Sequence, residues 1–292
     1  MKKVNSKTAL TWLVFGAFFA GASTLFVRIS DLGPLSSAFY RTFLAIPFLG
    51  LWVSWDKSRG HIKSLKISHV DTWIIVFGGI FFAGDLIFWH LSIIYTSIVN
   101  ATLLATLAPI YVIAVMFCFF GEKPTLIFVL GLGVTIFGVI TLIGGGLIFK
   151  PEQLFGNICG LITGGFFAGY LIAISRIRSH LPTSLIMYYS TIITAMVLLP
   201  IALYVEGNLL PQGIYGWVIL LALAIFSHVC GQGLIAYALA YLPTSFSSIT
   251  LILEVVSATF LGWFFLSETI APLQWFGGII IICGIVVARR GS

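Results

Sequence analysis

Charged residues are scarce in this chain, and their scarcity excludes a soluble fold. Aspartate, glutamate, lysine and arginine make up 8% of the 292 residues, whereas a soluble domain carries about 25%. The net charge of +6 does not indicate a nucleic-acid partner, because the basic residues stand beside apolar runs. The expected surroundings are a lipid bilayer.

Cysteine is also scarce, and the four cysteines indicate neither a disulfide framework nor a metal centre. Each lies within an apolar run, without the short spacing that metal ligands need. We expect buried free thiols and no bound metal or cofactor. The four residues are Cys118, Cys159, Cys230 and Cys283.

Long hydrophobic runs dominate the rest of the sequence. Hydrophobic residues make up 60% of it and the mean hydropathy is +1.12. A helix needs about 20 apolar residues to cross a bilayer, and these continuous runs lack the alternation of barrel strands. The sequence therefore predicts an all-α, multi-pass protein of the bacterial inner membrane. Ten helices are expected at roughly 8–27, 35–54, 72–92, 97–119, 126–148, 155–175, 183–205, 215–237, 244–266 and 272–289.

The sequence contains two copies of one unit, offset by about 146 positions. Self-similarity at a fixed period predicts two similar structural units. We place them at residues 8–148 and 155–289, with five helices in each. The matched pairs include Tyr95 with Tyr241, Glu122 with Glu268, Gly131 with Gly277, and Gly138 with Gly284.

The distribution of lysine and arginine predicts the topology. Most of them fall on one side of the ten helices, which the positive-inside rule places in the cytoplasm together with both termini. Because each copy has an odd number of helices, the repeats are inverted, as in many secondary transporters. Glu122 and Glu268 then lie at opposite surfaces, where we interpret them as structural markers. Gly131 and Gly138 share one helix face, where small residues predict close packing.

Several motifs lie in or at the ends of corresponding helices of the two copies. They are Tyr95-Thr96-Ser97, Pro109 and Gly121-Glu122 in the fourth helix, and Tyr241-Leu242-Pro243, Glu254 and Ser267-Glu268 in the ninth, together with Arg41 and Pro47 in the second. Over residues 10–143 and 156–289 this pattern resembles the EamA family of the drug/metabolite transporter superfamily. The resemblance implies ten helices, transport of small metabolites, often export of amino acids, and frequently coupling to protons. Valines stand at 255 and 256 where members often have proline, so the sequence leaves open whether the ninth helix is kinked.

Five ionisable residues lie within the predicted helices, away from the helix ends. Each costs about 2.5–3.5 kcal/mol at mid-membrane, so each is a candidate for function. Asp85 and Glu254 carry carboxyl groups, whose neutral form is favoured by burial, so either could take up a proton and release it to water. Arg41 can snorkel, pair with a carboxyl group, or hold a substrate carboxylate. The other two are His90, close to the outer interface, and His228.

Polar and aromatic neighbours at helical spacing predict a cavity wall around the two carboxyl groups. Trp89 lies one turn from Asp85 in the third helix. The residues predicted to share a face with Glu254 in the ninth helix are Ser247, Thr250 and Ser257.

Further candidates offer hydrogen bonds or interrupt a helix. Gln232 follows His228 by one turn, and this histidine is either a proton relay or substrate ligand, or a satisfied packing residue. Thr106 and Tyr170 would offer hydrogen bonds to a substrate. Pro109 removes a backbone hydrogen bond near the centre of the fourth helix, which marks either a binding site or a kink for packing.

These features predict a secondary transporter of small organic metabolites, with proton-coupled export of amino acids or similar compounds by alternating access as the leading hypothesis. An uptake or exchange carrier for a cationic or nucleotide-like metabolite is the alternative within transport, since the acidic pair suits a cation. A membrane-embedded enzyme is the alternative of another class, because Asp85, His228 and Glu254 could perform acid–base chemistry. The inverted repeat and the lack of a nucleophile constellation argue against it.

Overall fold

The computed structural model describes residues 5–60, 62, 67–143, 150–178, 180–267 and 270–292, and all regular structure within these ranges is helical. Glu268 and the predicted end of the fifth span, 144–148, lie outside the described residues. The helices are α1 (Ser6–Ile29), α2 (Pro34–Phe43), α3 (Ala45–Ser58), α4 (His69–Tyr95), α5 (Ile98–Ala105), α6 (Ala108–Phe120), α7 (Leu126–Leu142), a 3₁₀ turn (Pro151–Gln153), α8 (Leu154–Arg178), α9 (Thr183–Glu206), α10 (Ile214–Ala222), a π-helical segment (Leu223–Gln232), α11 (Gly233–Ala238), α12 (Thr244–Thr250), α13 (Leu253–Leu266) and α14 (Pro272–Arg290).

Eight of the described helical segments are long and apolar enough to cross a membrane. They are α1, α4, α8, α9, α14, the α5–α6 pair, the run from α10 to α11, and the α12–α13 pair. The fifth predicted span is the shorter apolar helix α7, and the second is divided into α2 and α3 at Leu44. The chain is thus a multi-pass membrane protein, while ten spans and cytoplasmic termini stay predictions.

The fourth and ninth predicted spans are interrupted at corresponding positions of the two copies. Residues 106–107 separate α5 from α6, and Pro109 lies in the first turn of α6. Residues 251–252, about 146 positions later, separate α12 from α13. A proline has no N–H to donate, which explains the first interruption. The second occurs without a proline, so the ninth span is broken despite the valines that follow.

Glycines bring α7 and α14 into close contact. A Cβ atom placed on Gly138 would lie 2.7 Å from the backbone nitrogen of Ile281, and one placed on Gly284 would lie 2.6 Å from that of Thr135. Any larger side chain would push the two backbones apart. The predicted packing role of these glycines is confirmed.

Acidic side chains join the second and seventh predicted spans at both ends. Glu206, the last residue of α9, accepts hydrogen bonds from the backbone N–H groups of Leu35 (2.7 Å) and Ser36 (2.9 Å) at the start of α2. Asp56, near the end of α3, accepts one from Ser184 Oγ at the start of α9 (2.5 Å). Each carboxylate meets the N-terminal end of a helix, where unpaired N–H groups favour negative charge.

Replacing Glu206 by alanine is expected to destabilise the protein, because two N–H groups of α2 lose their acceptor. The loss of a helix cap of this kind costs about 0.5–2 kcal/mol. The measurement is the melting temperature of the purified protein in detergent. Glu152→Ala is the control, since Glu152 is exposed in the 3₁₀ turn before α8. Equal melting temperatures for the two variants would contradict the capping role.

The four cysteines are free thiols, but they do not share one environment. Cys159 is buried and Cys230 is partly buried, whereas Cys118 and Cys283 are exposed on the surface of the bundle. The prediction that all four are buried is therefore wrong for two of them. A thiol behaves as a small apolar group, so a surface position among apolar residues accepts it.

Candidate functional site

A cavity of about 480 Å³ lies among helices of both copies. That volume falls within the range of about 300–1,000 Å³ found for small-molecule sites. Its walls come from α1, α2, α4 and α8, from both sides of the two interruptions, and from the π-helical segment. The ends of α7 and α14 contribute as well, whereas α9 supplies none of its lining among the described residues.

Besides the exposed Arg28, three ionisable side chains of complementary sign face this cavity. Arg41 comes from α2, Asp85 from α4 and Glu254 from the first turn of α13. The guanidinium of Arg41 interacts electrostatically with both carboxyl groups. Among the described residues, however, no ion pair joins it to either of them. Apart from the exposed Arg28, the cavity therefore holds one positive and two acidic groups, which interact electrostatically but form no ion pair.

Several of these groups have unused hydrogen-bonding atoms. The Nε atom of Arg41, which is 7% exposed, and the Oε1 atom of Glu254 are buried without a partner. The carbon at the centre of the guanidinium lies 5.6 Å from the centroid of the Phe82 ring, so the cation rests over an aromatic face. A buried charged group without its full set of partners is costly. A ligand that supplied those partners would recover that cost.

The two interruptions present helix N-termini to the same cavity. Pro109 lies in the first turn of α6 and Glu254 in the first turn of α13, and both are lining residues. The N-terminal end of a helix carries a partial positive charge. Transporters place binding sites at such discontinuous helices in mid-membrane.

The interruption of the ninth span overturns the polar face expected around Glu254. Ser248 and Thr259, not the predicted three residues, line the cavity on that span with Glu254. Residues 251–252 separate Ser247 and Thr250 in α12 from Glu254 in α13, so regular spacing does not hold across the break. Ser257 lies in α13 with Glu254 but is not among the residues that line the cavity. The three predicted neighbours bond locally or lie buried: Thr250 Oγ1 donates to Phe246 O, Ser257 Oγ donates to Leu253 O, and Ser247 Oγ has no partner.

Four further candidates lie on the cavity wall: Trp89, His90, Thr106 and Gln232. His90 Nδ1 is 2.5 Å from the carbonyl oxygen of Leu86. Since a carbonyl only accepts, Nδ1 carries the hydrogen, and the unpartnered Nε2 is left as an acceptor. The Oε1 atom of Gln232 is also unpartnered, while the Thr106 hydroxyl donates to Leu103 O at 2.7 Å.

Two candidates, His228 and Tyr170, lie behind the wall rather than on it. Their rings pack on Phe82, with centroids 5.5 and 4.8 Å from its own. His228 Nε2 is 2.8 Å from Thr191 Oγ1, and the Tyr170 hydroxyl donates to Met187 Sδ at 3.7 Å. Phe82 and His228 occupy corresponding positions of the two copies, but only Phe82 lines the cavity.

Some lining residues give no distinctive signal in the sequence. Phe82 is one of 26 phenylalanines, and Thr24 and Thr102 are small hydroxyl residues of a kind common in apolar helices. Gln274 stands at the start of the last helix, where a polar residue is ordinary. Comparison of the two copies would find Phe82 only through its match with His228.

The cavity reaches the surface at one end of the bundle. Arg28, which is exposed near the end of α1, is among its lining residues, whereas no lining residue comes from the first half of α1. Within the described residues no cluster of three histidine, cysteine or acidic side chains could hold a metal ion. The site is a largely apolar pocket with a few polar and ionisable groups, as is usual for sites that bind small molecules.

Known proteins similar to this chain are membrane transporters. The model of the EamA-like transporter family matches residues 7–144 and 154–290. A protein from Archaeoglobus fulgidus described as an uncharacterized transporter is 26% identical over 289 residues, 97% of each chain. The pseudopaline exporter CntI of Pseudomonas aeruginosa is 25% identical over 217 residues, 73% of each chain. A crystal structure 18% identical in sequence has a TM-score of 0.82 over 98% of both chains, which shows the shared fold.

The two matched regions together cover nearly the whole chain. The helices in these regions are apolar and enclose a cavity that contains a few polar and ionisable groups. The family and the names of the relatives indicate a transporter rather than an enzyme. The chain belongs to the EamA-like transporter family of the drug/metabolite transporter superfamily.

Proposed function

We propose that this transporter exports a small amino-acid-like metabolite by alternating access, in exchange for protons. The observation that carries the proposal is the group formed by Arg41, Asp85 and Glu254, which brings one cation and two carboxyl groups to a single cavity without pairing them. A zwitterion has the complementary charges. Its carboxylate would take the open Nε of Arg41, and its ammonium group would lie at the two carboxyl groups.

Proton coupling rests on the place of the two carboxyl groups. A carboxyl group that faces a small cavity inside apolar helices favours its neutral form, and access to water favours the charged form. Glu254 Oε1 is buried without a partner in this conformation. We propose that Glu254 binds a proton when the cavity is emptied and gives it up when the ammonium group of the substrate arrives.

The topology that we propose, with ten spans in the inverted repeats 8–148 and 155–289 and with both termini in the cytoplasm, identifies the conformation, and export rests on the relative named below. In this topology the exposed end of the cavity, beside Arg28, faces the outside. The opposite end is closed by the bond between Ser184 and Asp56 and by Arg178, which donates to Leu181 O at 2.9 Å. The conformation is then outward-open, the release state of an exporter. One relative is itself named as an exporter.

A carrier for a cationic metabolite is the second candidate. Two acidic residues, Asp85 and Glu254, face the cavity, and only one buried arginine, Arg41, faces it with them. The test is a thermal-shift screen of the purified protein against amino acids, nucleosides and polyamines, since a ligand that binds the folded state raises its melting temperature. We expect amino acids to raise it. A rise with polyamines or nucleosides alone would replace the proposal with the alternative.

A further inference from the structure

A second, smaller pocket of about 200 Å³ lies between α1, α13 and α14. Three residues line both this pocket and the central cavity: Leu142, Thr259 and Gln274. The two spaces therefore adjoin at these three residues, and the smaller one, which we call the side pocket, lies between the central cavity and the α13–α14 surface.

The side pocket offers an apolar environment. Phe18, Phe260 and Trp275 form much of its lining, and none of its lining residues is charged. Its two hydroxyl residues already use their donors within α13. Ser257 Oγ donates to Leu253 O and Thr259 Oγ1 donates to Val255 O, each at 2.9 Å. The space therefore suits a hydrocarbon group and has little to offer a polar one.

The distance along α13 from Glu254 to the side pocket is about the length of one amino-acid side chain. Glu254 and Thr259 are both in α13, and five residues of helix rise about 7.5 Å. A substrate whose ammonium group is held at Glu254 would thus direct a side chain of a few carbons toward the side pocket.

We propose that the side pocket is a specificity subsite that holds the apolar side chain of the transported compound. This inference rests on the proposed function and adds to it the substrate class: zwitterions with an unbranched or aromatic apolar side chain bind better than small ones. Filling the subsite then selects against those side chains without affecting the charged groups.

Gly278 allows the side pocket to be filled. It lines the pocket, and a Cβ atom placed on it would meet only Val256 Cγ1, at 3.8 Å. The leucine side chain of Gly278→Leu would therefore fill part of the pocket without a backbone clash. Gly133→Leu is the matched control, because Gly133 is an exposed glycine of α7 with nothing within 4 Å of an added Cβ. Gly278→Val is a smaller second variant in case the leucine disturbs folding.

The measurement is the affinity of the purified protein for alanine, norvaline and norleucine, read from concentration-dependent thermal shifts. In wild type and in Gly133→Leu, each added methylene is expected to raise the affinity about fourfold. In Gly278→Leu this increase should vanish while alanine binds as in wild type, and Gly278→Val should lose part of it.

Three results would overturn the inference. Equal affinities along the series in wild type, or the same increase in Gly278→Leu as in wild type, would mean that a lipid chain or nothing occupies the pocket while the proposed function stands. Failure of every amino acid, alanine included, to shift wild type would instead remove the proposed function on which the subsite depends.

Discussion

Glu254→Gln is expected to abolish accumulation of substrate driven by a pH gradient in proteoliposomes, with at least a tenfold loss, while exchange of labelled for unlabelled substrate at equal pH continues. Glutamine has nearly the shape of a protonated glutamate but cannot release a proton. If Glu254 carries the coupled proton, the variant loses the link to the gradient, while exchange continues at a lower affinity because Asp85 alone remains to hold the ammonium group of the substrate.

The place of Glu254 makes this separation possible. It lies in the first turn of α13 and lines the cavity, and its Oε1 atom has no partner that a substitution would disrupt. Glu122→Gln is the control, because Glu122 is an exposed glutamate beyond the end of α6. Gradient-driven accumulation by Glu254→Gln at the wild-type rate would contradict the coupling role and move it to Asp85.

Arg41→Met is expected to remove ligand-induced thermal stabilisation, with a loss of affinity of about 10- to 100-fold. Hydrogen bonds to a charged group are worth more than neutral ones, and the substrate carboxylate would lose them. The melting temperature of the unliganded variant should fall slightly, because the contact of the guanidinium with the Phe82 ring and its attraction to Asp85 and Glu254 are lost. Thermal shifts with and without amino acid measure both quantities.

Two further variants separate the charge of Arg41 from its shape. Arg41→Lys should keep part of the affinity, since an ammonium group attracts a carboxylate but cannot form two parallel bonds to it. Arg59→Gln should change nothing, although Arg59 also stands over an aromatic ring, that of Trp55 at 4.1 Å, because it is exposed at the end of α3. Full ligand stabilisation in Arg41→Met would contradict the binding role.

The helices themselves could be predicted because runs of about 20 apolar residues have few other structures open to them in a membrane. The interruption before Pro109 could also be expected, since proline acts locally on the backbone. The interruption at residues 251–252 could not, because nothing in the local sequence forces it. It occurs at the position that corresponds to the first one, so the symmetry of the copies was the better guide.

The residues of the site were predicted in part, and the wrong predictions concern which side of a helix a residue faces. Arg41, Asp85 and Glu254 stand out because a charge in hydrocarbon needs a reason, and all three line one cavity. Ser247 and Thr250 were placed on the wrong face because spacing rules assume a continuous helix, whereas Ser257 lies in α13 with Glu254 and its position depends on packing against the neighbouring helices. Whether His228 lies on the wall or behind Phe82 depends on side-chain packing between helices, which spacing along one helix does not describe.

Contacts between distant segments were beyond the sequence. Asp56 and Ser184 are 128 positions apart, and Glu206 lies 171 positions from Leu35. All of these residues stand near helix ends, where charged and hydroxyl residues are ordinary. The structure alone shows that each carboxylate meets the start of a helix from the other copy.

The most direct test of the account is the binding of one amino acid, the tightest ligand of the screen, compared with its methyl ester and with the same acid lacking the amino group. The ester removes the partner of Arg41, and the second compound removes the partner of Asp85 and Glu254. The account predicts that both bind wild-type protein at least tenfold more weakly than the zwitterion. An ester that binds as well as or better than the amino acid would contradict it and identify the cavity as a site for cations.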